Sequence, residues 1–238
     1  CGHDSLCKVA AFFLDKSGIV EVRIRTHYKK ATIIMITLHH LEKSRSMRIV
    51  WALEELGVAY KIKHYKRLPN YAAPPELKTI HPLGKSPILT DGEVTLAESA
   101  VILEYLQATY DTEQKFKPHT PGQQREYNYW MHYAEGSLMP LLVMSLVMSF
   151  VPQRVPFIIR PLANKIVDGV KSGFISPRLN DHVPFLENHL NAHEYFAGEF
   201  SFADIQMSFP MIAMQERMQG KYPHMKAFVE RIKQRPAY

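Results

Sequence analysis

Cysteine is nearly missing from this chain. Its 238 residues include two, Cys1 and Cys7, and none from residue 8 onward. No disulfide framework can form in the body of the chain, and no cysteine there can act as nucleophile or metal ligand. That usage fits a reducing compartment, so a cytoplasmic location is the expectation. A strong excess of one charge is missing too. The net charge is +6, half of it carried by residues 1–34, too mild to point to nucleic acid. Long apolar runs are also lacking. The best candidate, "LMPLLVMSLVMSFV" at 138–151, has 14 residues and includes Pro140, Ser145 and Ser149. It is shorter than a membrane span and reads as a core helix. The basic, apolar stretch behind it, "PQRVPFIIRPL", leaves peripheral membrane association as a lesser expectation. There are no internal repeats.

What is present is an ordered series of elements. "MITLHH" reads as a strand, 46–56 as a helix stopped by Gly57, and "AYKIKHY" (59–65) as a strand with one buried face. A short helical turn begins near Pro75. "SPILT" and "EVTL" flank Asp91-Gly92, a strong hairpin signal, and a helix follows over 97–110. From about residue 118 every long segment is helical. The polar stretch 111–124 carries two prolines and a glycine and reads as a linker. The expected organisation is an α/β domain at 35–111, a linker at 112–120 and an all-helical domain at 121–238. Residues 1–34 read as an extension of doubtful origin, because Met35 directly precedes the first strong strand. The helical pattern still running near Tyr238 reads as cut short.

Four short motifs stand out. Between the first strand and first helix lies "EKSRSMR", with Ser44 and Ser46 ahead of Arg48. Ser46 fits a helix N-cap. Arg45 and Arg48 either add positive charge there or are solvated or paired. In "HPLGKSPIL", Pro87 opens a strand, where it gives up a ladder bond. It is either an ordinary trans proline or a cis one that turns the Ser86 backbone outward to receive an extended peptide. In "TLAES", Thr95 and Glu98 have capping-box spacing. Alternatively, Glu98 and Ser99 stand at a helix N-terminus that receives a ligand carboxylate and ammonium, as an α-amino acid end would offer. "SFAD" at 201–204 reads as a helix cap in which Asp204 braces a buried helix. The histidines show no metal-ligand spacing. His39 and His40, adjacent on a strand, face opposite ways, and no metal is expected. Met131, Met139, Met144 and Met148 read as core fillers. Some of them, with Tyr129, Trp130 and Tyr133, could line an apolar second-substrate pocket.

Over residues 35–238 the order and spacing of these motifs resemble the glutathione transferase superfamily. The segments "HHLEKSRSMRIVWALEELG", "APPELKTIHPLGKSPIL" and "ADIQMSFP" are most similar to a fungal and bacterial serine-type subgroup that includes a membrane-associated yeast glutathione transferase. The resemblance implies a thioredoxin-like N-terminal domain, an all-helical C-terminal domain, a homodimer and a role in detoxification. It implies that Pro87 is the family's cis-proline and that the Ser86 backbone pairs with the cysteinyl unit of glutathione. Glu98 and Ser99 would hold the γ-glutamyl end, and Lys85 the glycyl carboxylate. The catalytic hydroxyl would be Ser44, with Ser46 as second choice. Glutathione would be a cosubstrate, with no permanently bound cofactor and a small apolar electrophile as second substrate. Peroxide reduction is a possible side activity. Relatives that form a mixed disulfide with glutathione use a loop cysteine, which is missing after Cys7. The competing expectation is a non-catalytic glutathione- or hydrophobic-ligand-binding module of the same fold.

Overall fold

The computed structural model describes residues 12–14, 19–22, 35–218 and 221–238; most of the 1–34 segment lies outside the described residues. The chain divides into two compact units, one through Thr112 and one from Glu113.

The first unit is built on a mixed sheet. Strand β1 (Phe12–Leu14) pairs antiparallel with β2 (Ile19–Val22), and β2 with β4 (Tyr60–Tyr65). β4 runs parallel to β3 (Ile36–Leu41). β5 (Ile88–Asp91) and β6 (Val94–Ala97) complete the sheet antiparallel, giving the order β1-β2-β4-β3-β5-β6. Helix α1 (Met47–Leu56) connects β3 to β4 and packs on α2 (Ser99–Tyr110). α1 buries Ile49, Ala52 and Leu53, and α2 buries Ile102, Leu103 and Leu106. Both show the i, i+3/i+4 spacing of one helical face. Gly57 ends α1 at φ +64, where its N–H bonds Glu54 O (3.1 Å) and Val58 N–H bonds Leu53 O (3.4 Å). This is a Schellman closure, and its left-handed position suits glycine. A 3₁₀ turn spans Pro75–Thr79. Buried Asp91 accepts hydrogen bonds from Tyr105 (2.8 Å) and Tyr110 on α2, tying the hairpin to the helix. This is the thioredoxin-like unit expected from the sequence, widened by β1 and β2 at the outer edge of β4.

The second unit holds α3 (Pro121–Tyr133), α4 (Met139–Phe150), α5 (Arg160–Val170), α6 (Ser176–Ala192), α7 (Phe202–Met218) and α8 (Pro223–Lys233). Single π-helical turns at Ala134–Leu138 and Lys171–Ile175 precede α4 and α6. α7 is enclosed by α3, α4 and α8, and its Phe202, Ile205, Met207, Met211 and Met214 are all buried. Asp204, fully enclosed, accepts the Phe196 N–H and the Ser201 N–H, both at 2.8 Å, and the Ser201 hydroxyl at 3.2 Å. The carboxylate therefore both starts α7 and pins the preceding loop, as "SFAD" implied. Burial pushes its pKa up to about 7 despite the hydrogen bonds it accepts.

Three expectations change here. The segment read as linker is partly folded onto this unit. Phe116 is buried and stacks on Phe202 (5.1 Å between ring centroids), and Thr120 and Gln123 form a reciprocal capping box for α3. The run read as a core helix is core on one face only. α4 buries Met139, Leu141, Leu142 and Ser145 but exposes Val143, Met144, Leu146 and Val147. Together with α3 it forms a helical stretch over 121–153 long and apolar enough to cross a membrane by length and composition. Finally, Trp130, Met131 and Tyr133 are buried in this unit's own core, where Trp130 contacts His189 and Phe196 (both 4.6 Å between centroids). These residues are packing elements in this unit. The terminal helix stops at Lys233.

Candidate active site

Sheet register brings three chain corners together. His39 on β3 lies opposite Ile88 on β5, so two residues further along the antiparallel register Ser86 falls beside Leu41. The Leu41 N–H donates to Ser86 Oγ (3.2 Å), and the Ser86 hydroxyl donates to the His39 carbonyl (3.1 Å). Ile88 also lies opposite Ala97 on β6, so Pro87 comes level with Glu98. The loop between β3 and α1, the start of β5 and the start of α2 therefore share one end of the sheet. The Ser86–Pro87 bond is cis, one of the two alternatives for this proline. Lys85, next in the chain, is exposed.

The two serines differ in environment. Ser44 is 6% exposed and Ser46 0%. Their hydroxyls are 2.7 Å apart, and Ser44 Oγ lies 3.4 Å from Ser86 Oγ. The Ser46 N–H reaches Ser44 Oγ at 3.3 Å. Ser46 stands at the N-cap position of α1 in a helical conformation (φ −64, ψ −19), and its side chain makes no cap hydrogen bond. The N-cap reading of its hydroxyl fails because that hydroxyl is held by His40 Nδ1 at 2.8 Å. Arg48 is buried on the inner face of α1, so the solvated alternative fails for it. Arg45 is half-buried.

The capping-box reading of "TLAES" also fails. Thr95 lies inside β6, because the hairpin ladder runs through Ala97. Glu98 takes φ +72 and ψ 124, its side chain caps nothing, and α2 begins at Ser99. A glutamate in this region carries strain of about 1–3 kcal/mol. With no side-chain cap, the first turn of α2 keeps N–H groups free of such competition at the rim of this corner. Ser99 is buried and Glu98 exposed.

Spacing alone did not show the role of the histidines. His39 turns inward, with Nδ1 3.0 Å from Tyr65 Oη, and burial, with Lys63 adding to it, lowers its pKa to about 4. His40 turns the other way. Its ring meets His64 edge-on at 5.2 Å, because the parallel register sets His40 beside His64. Burial, then His64, lowers the His40 pKa from its ordinary value.

Comparison with known proteins fits this arrangement. Residues 34–108 match the family model "Glutathione S-transferase, N-terminal domain", and residues 162–237 match "Glutathione S-transferase, C-terminal domain". Glutathione S-transferase 3 of Schizosaccharomyces pombe is 42% identical over 206 residues, covering 85% of each chain. The chain belongs to the glutathione S-transferase family. Glutathione S-transferase 1 of Saccharomyces cerevisiae is 34% identical, covering 86% of this chain and 92% of its own. A glutathione S-transferase crystal structure from Actinobacillus pleuropneumoniae has a TM-score of 0.64 and 35% identity, covering 86% of this chain and 89% of its own. As a glutathione transferase, the chain belongs to enzymes that use glutathione as cosubstrate.

Proposed function

We propose that this enzyme transfers the glutathione thiolate to small apolar electrophiles, with the Ser44 hydroxyl as the donor that stabilises the thiolate. The observation that carries this reading is the position of Ser44, 3.4 Å from Ser86 Oγ at the cis Ser86–Pro87 corner and not wholly enclosed, whereas Ser46 is. A free thiol titrates near 8.5 and is mostly protonated at neutral pH. A hydroxyl donor and the α1 N-terminus favour the ionised form. The thiolate then attacks an electrophilic carbon held beside it, with proximity supplying much of the rate. The Ser86 backbone pairs with the cysteinyl unit. Glu98 and Ser99 hold the γ-glutamyl end, and Lys85 the glycyl carboxylate. The working form is a homodimer in the cytoplasm, acting in detoxification, and the same thiolate reduces organic hydroperoxides. Turnover of an aryl halide with glutathione tests the reading. Binding of glutathione without turnover would favour the non-catalytic module.

The strained Glu98 gives a discriminating variant. Glycine tolerates φ +72 without a Cβ penalty. Glu98→Gly is therefore expected to leave the melting temperature equal or higher while weakening glutathione binding by about 1.5–3 kcal/mol, the loss of one charge-assisted bond. Ser99→Ala should weaken binding similarly. Calorimetric titration and thermal melts check both. A destabilised Glu98→Gly with unchanged affinity would return Glu98 to a structural role.

A second reading concerns the helical unit, and exposure favours it. Phe157 is 79% and Ile158 87% exposed, and α5 presents Leu162 (61%) and Ile166 (59%) outward one turn apart. Residues 139–178 hold five basic side chains (Arg154, Arg160, Lys165, Lys171, Arg178) against one acidic, Asp168. An apolar ridge with cationic flanks suits peripheral attachment to an anionic membrane. The protein is expected to float with phosphatidylserine-containing vesicles at low salt, and the paired change Ile158→Ser with Leu162→Ser to leave it at the bottom of the gradient. Equal flotation of both would remove the reading.

A further inference from the structure

The Ser44 hydroxyl does not stand alone. It begins a continuous hydrogen-bonded chain, Ser44 Oγ to Ser46 Oγ at 2.7 Å and Ser46 Oγ to His40 Nδ1 at 2.8 Å. Ser46 is fully enclosed between the other two, while His40 is half-buried at the far end. Other partners in this corner do not break the chain. The Ser86 hydroxyl proton is engaged by the His39 carbonyl, and its contact with Ser44 is longer, at 3.4 Å. The alternative acceptor for Ser46, the Leu41 carbonyl, lies at 3.5 Å. Two short links thus join the site to an imidazole.

We infer that His40 receives the thiol proton of glutathione through Ser46 and Ser44, making it a positioning residue and proton acceptor for this enzyme. The inference rests on the reading that Ser44 faces the glutathione sulfur. With His40 neutral and Nδ1 unprotonated, Ser44 donates to Ser46 and Ser46 donates to Nδ1. One Ser44 lone pair accepts the Ser46 N–H (3.3 Å), and the other is left for the ligand and receives the S–H. Ionisation moves three protons one place each: from sulfur to Ser44 Oγ, from Ser44 to Ser46 Oγ, and from Ser46 to His40 Nδ1. The products are a thiolate and an imidazolium, and both serines stay neutral. Their hydroxyls have reversed direction, so the Ser44 O–H now points at sulfur. The same movement that removes the proton creates the donor that the thiolate needs. His40 then releases a proton from Nε2 to water and remains neutral with Nδ1–H, which holds the reversed chain in place. Burial and the facing ring of His64, the ionisable neighbour on β4, keep the imidazole neutral before the thiol arrives. Sequence alone hides this chain, because the Ser46–His40 link depends on how the β3–α1 loop folds back.

The test uses the intact enzyme first. Nitrogen-15 shifts of His40 should show Nδ1 as an acceptor in the free protein, and as Nδ1–H once glutathione binds at neutral pH. S-methylglutathione, which has no thiol proton, should leave Nδ1 an acceptor. An Nδ1 unchanged by glutathione overturns the inference without recourse to variants. His40→Ala and Ser46→Ala should each raise the apparent pKa of bound glutathione by about one unit, equivalent to roughly tenfold less thiolate at pH values below the native thiol pKa. The KM for glutathione should stay within about twofold, and the double variant should be no worse than either single one. If Ser44→Ala raises that pKa and the other two do not, the relay is overturned and the Ser44 reading stands. If Ser44→Ala leaves it unmoved as well, both fall.

Discussion

Ser44→Ala is expected to raise the apparent pKa of bound glutathione by about one to two units, because it would delete the proposed charge-assisted hydrogen bond to sulfur, of roughly 1.5–3 kcal/mol. At pH values below the native thiol pKa, kcat/KM should fall roughly 10- to 100-fold, and by less above it. The KM for glutathione should barely change, since the γ-glutamyl and cysteinyl contacts proposed for Glu98, Ser99 and Ser86 do not involve Ser44. The loss has a fixed sign with pH. Once the medium is more alkaline than the raised pKa, the thiol ionises without help, so the gap to the native enzyme should close. A pH profile of thiolate absorbance beside one of kcat/KM checks this. A pH-independent deficit would mean that Ser44 acts on the electrophile or on geometry instead.

The largest effect on stability should follow from Asp204→Ala. The carboxyl is wholly enclosed and accepts two backbone N–H groups and one hydroxyl. Alanine leaves the Phe196 and Ser201 N–H groups without acceptors inside the core, at about 1–3 kcal/mol for each, so a total of roughly 2–5 kcal/mol is expected. Denaturant unfolding followed by tryptophan fluorescence would report it, since Trp130 packs on Phe196. Asp204→Asn should be milder and should change the pH response. The folded-state pKa is raised from 3.8 to about 7, so between those values the folded chain holds a proton that the unfolded chain releases. Stability from that proton is fully present below about pH 3.8 and is lost as pH rises toward 7. Asparagine cannot titrate, so the native protein's advantage over it should shrink from pH 5 to pH 8. A constant difference would show that Asp204 is ionised throughout.

Local pattern carried much of the fold. Alternation in "YKIKHY", the Asp91-Gly92 turn and Gly57 each describe a few neighbouring residues, and each appears where its own chemistry demands. Misreadings arose where distant chain decided. The Thr95–Glu98 spacing is a capping signal only if a helix follows at once, but pairing with β5 carries the strand through Ala97. Ser46 occupies an N-cap position, yet its hydroxyl is claimed by His40 from the preceding strand. Phe116 sits among polar linker residues, and its partner, Phe202, lies far along the chain. The clustering of Ser44, Ser86 and the Glu98–Ser99 step was legible only through resemblance. In the molecule it follows from two strand registers, which no short stretch of sequence records.

The buried methionines of α7 bear on chemical wear. An enzyme with the proposed electrophile and hydroperoxide substrates would meet reagents that attack sulfur, and thioether oxidation turns a flexible apolar side chain polar. Met207, Met211 and Met214 are enclosed, as are Met131, Met139 and Met225, so sulfoxide formation in the helical core must wait for local opening. The thioethers open to solvent include Met144 on α4 and Met47, 56% exposed at the first position of α1. Met47 directly follows Ser46, so the sulfur that oxidises early sits one residue from the hydroxyl chain. Oxidative ageing would therefore reach the working corner of this enzyme well before it loosens the core.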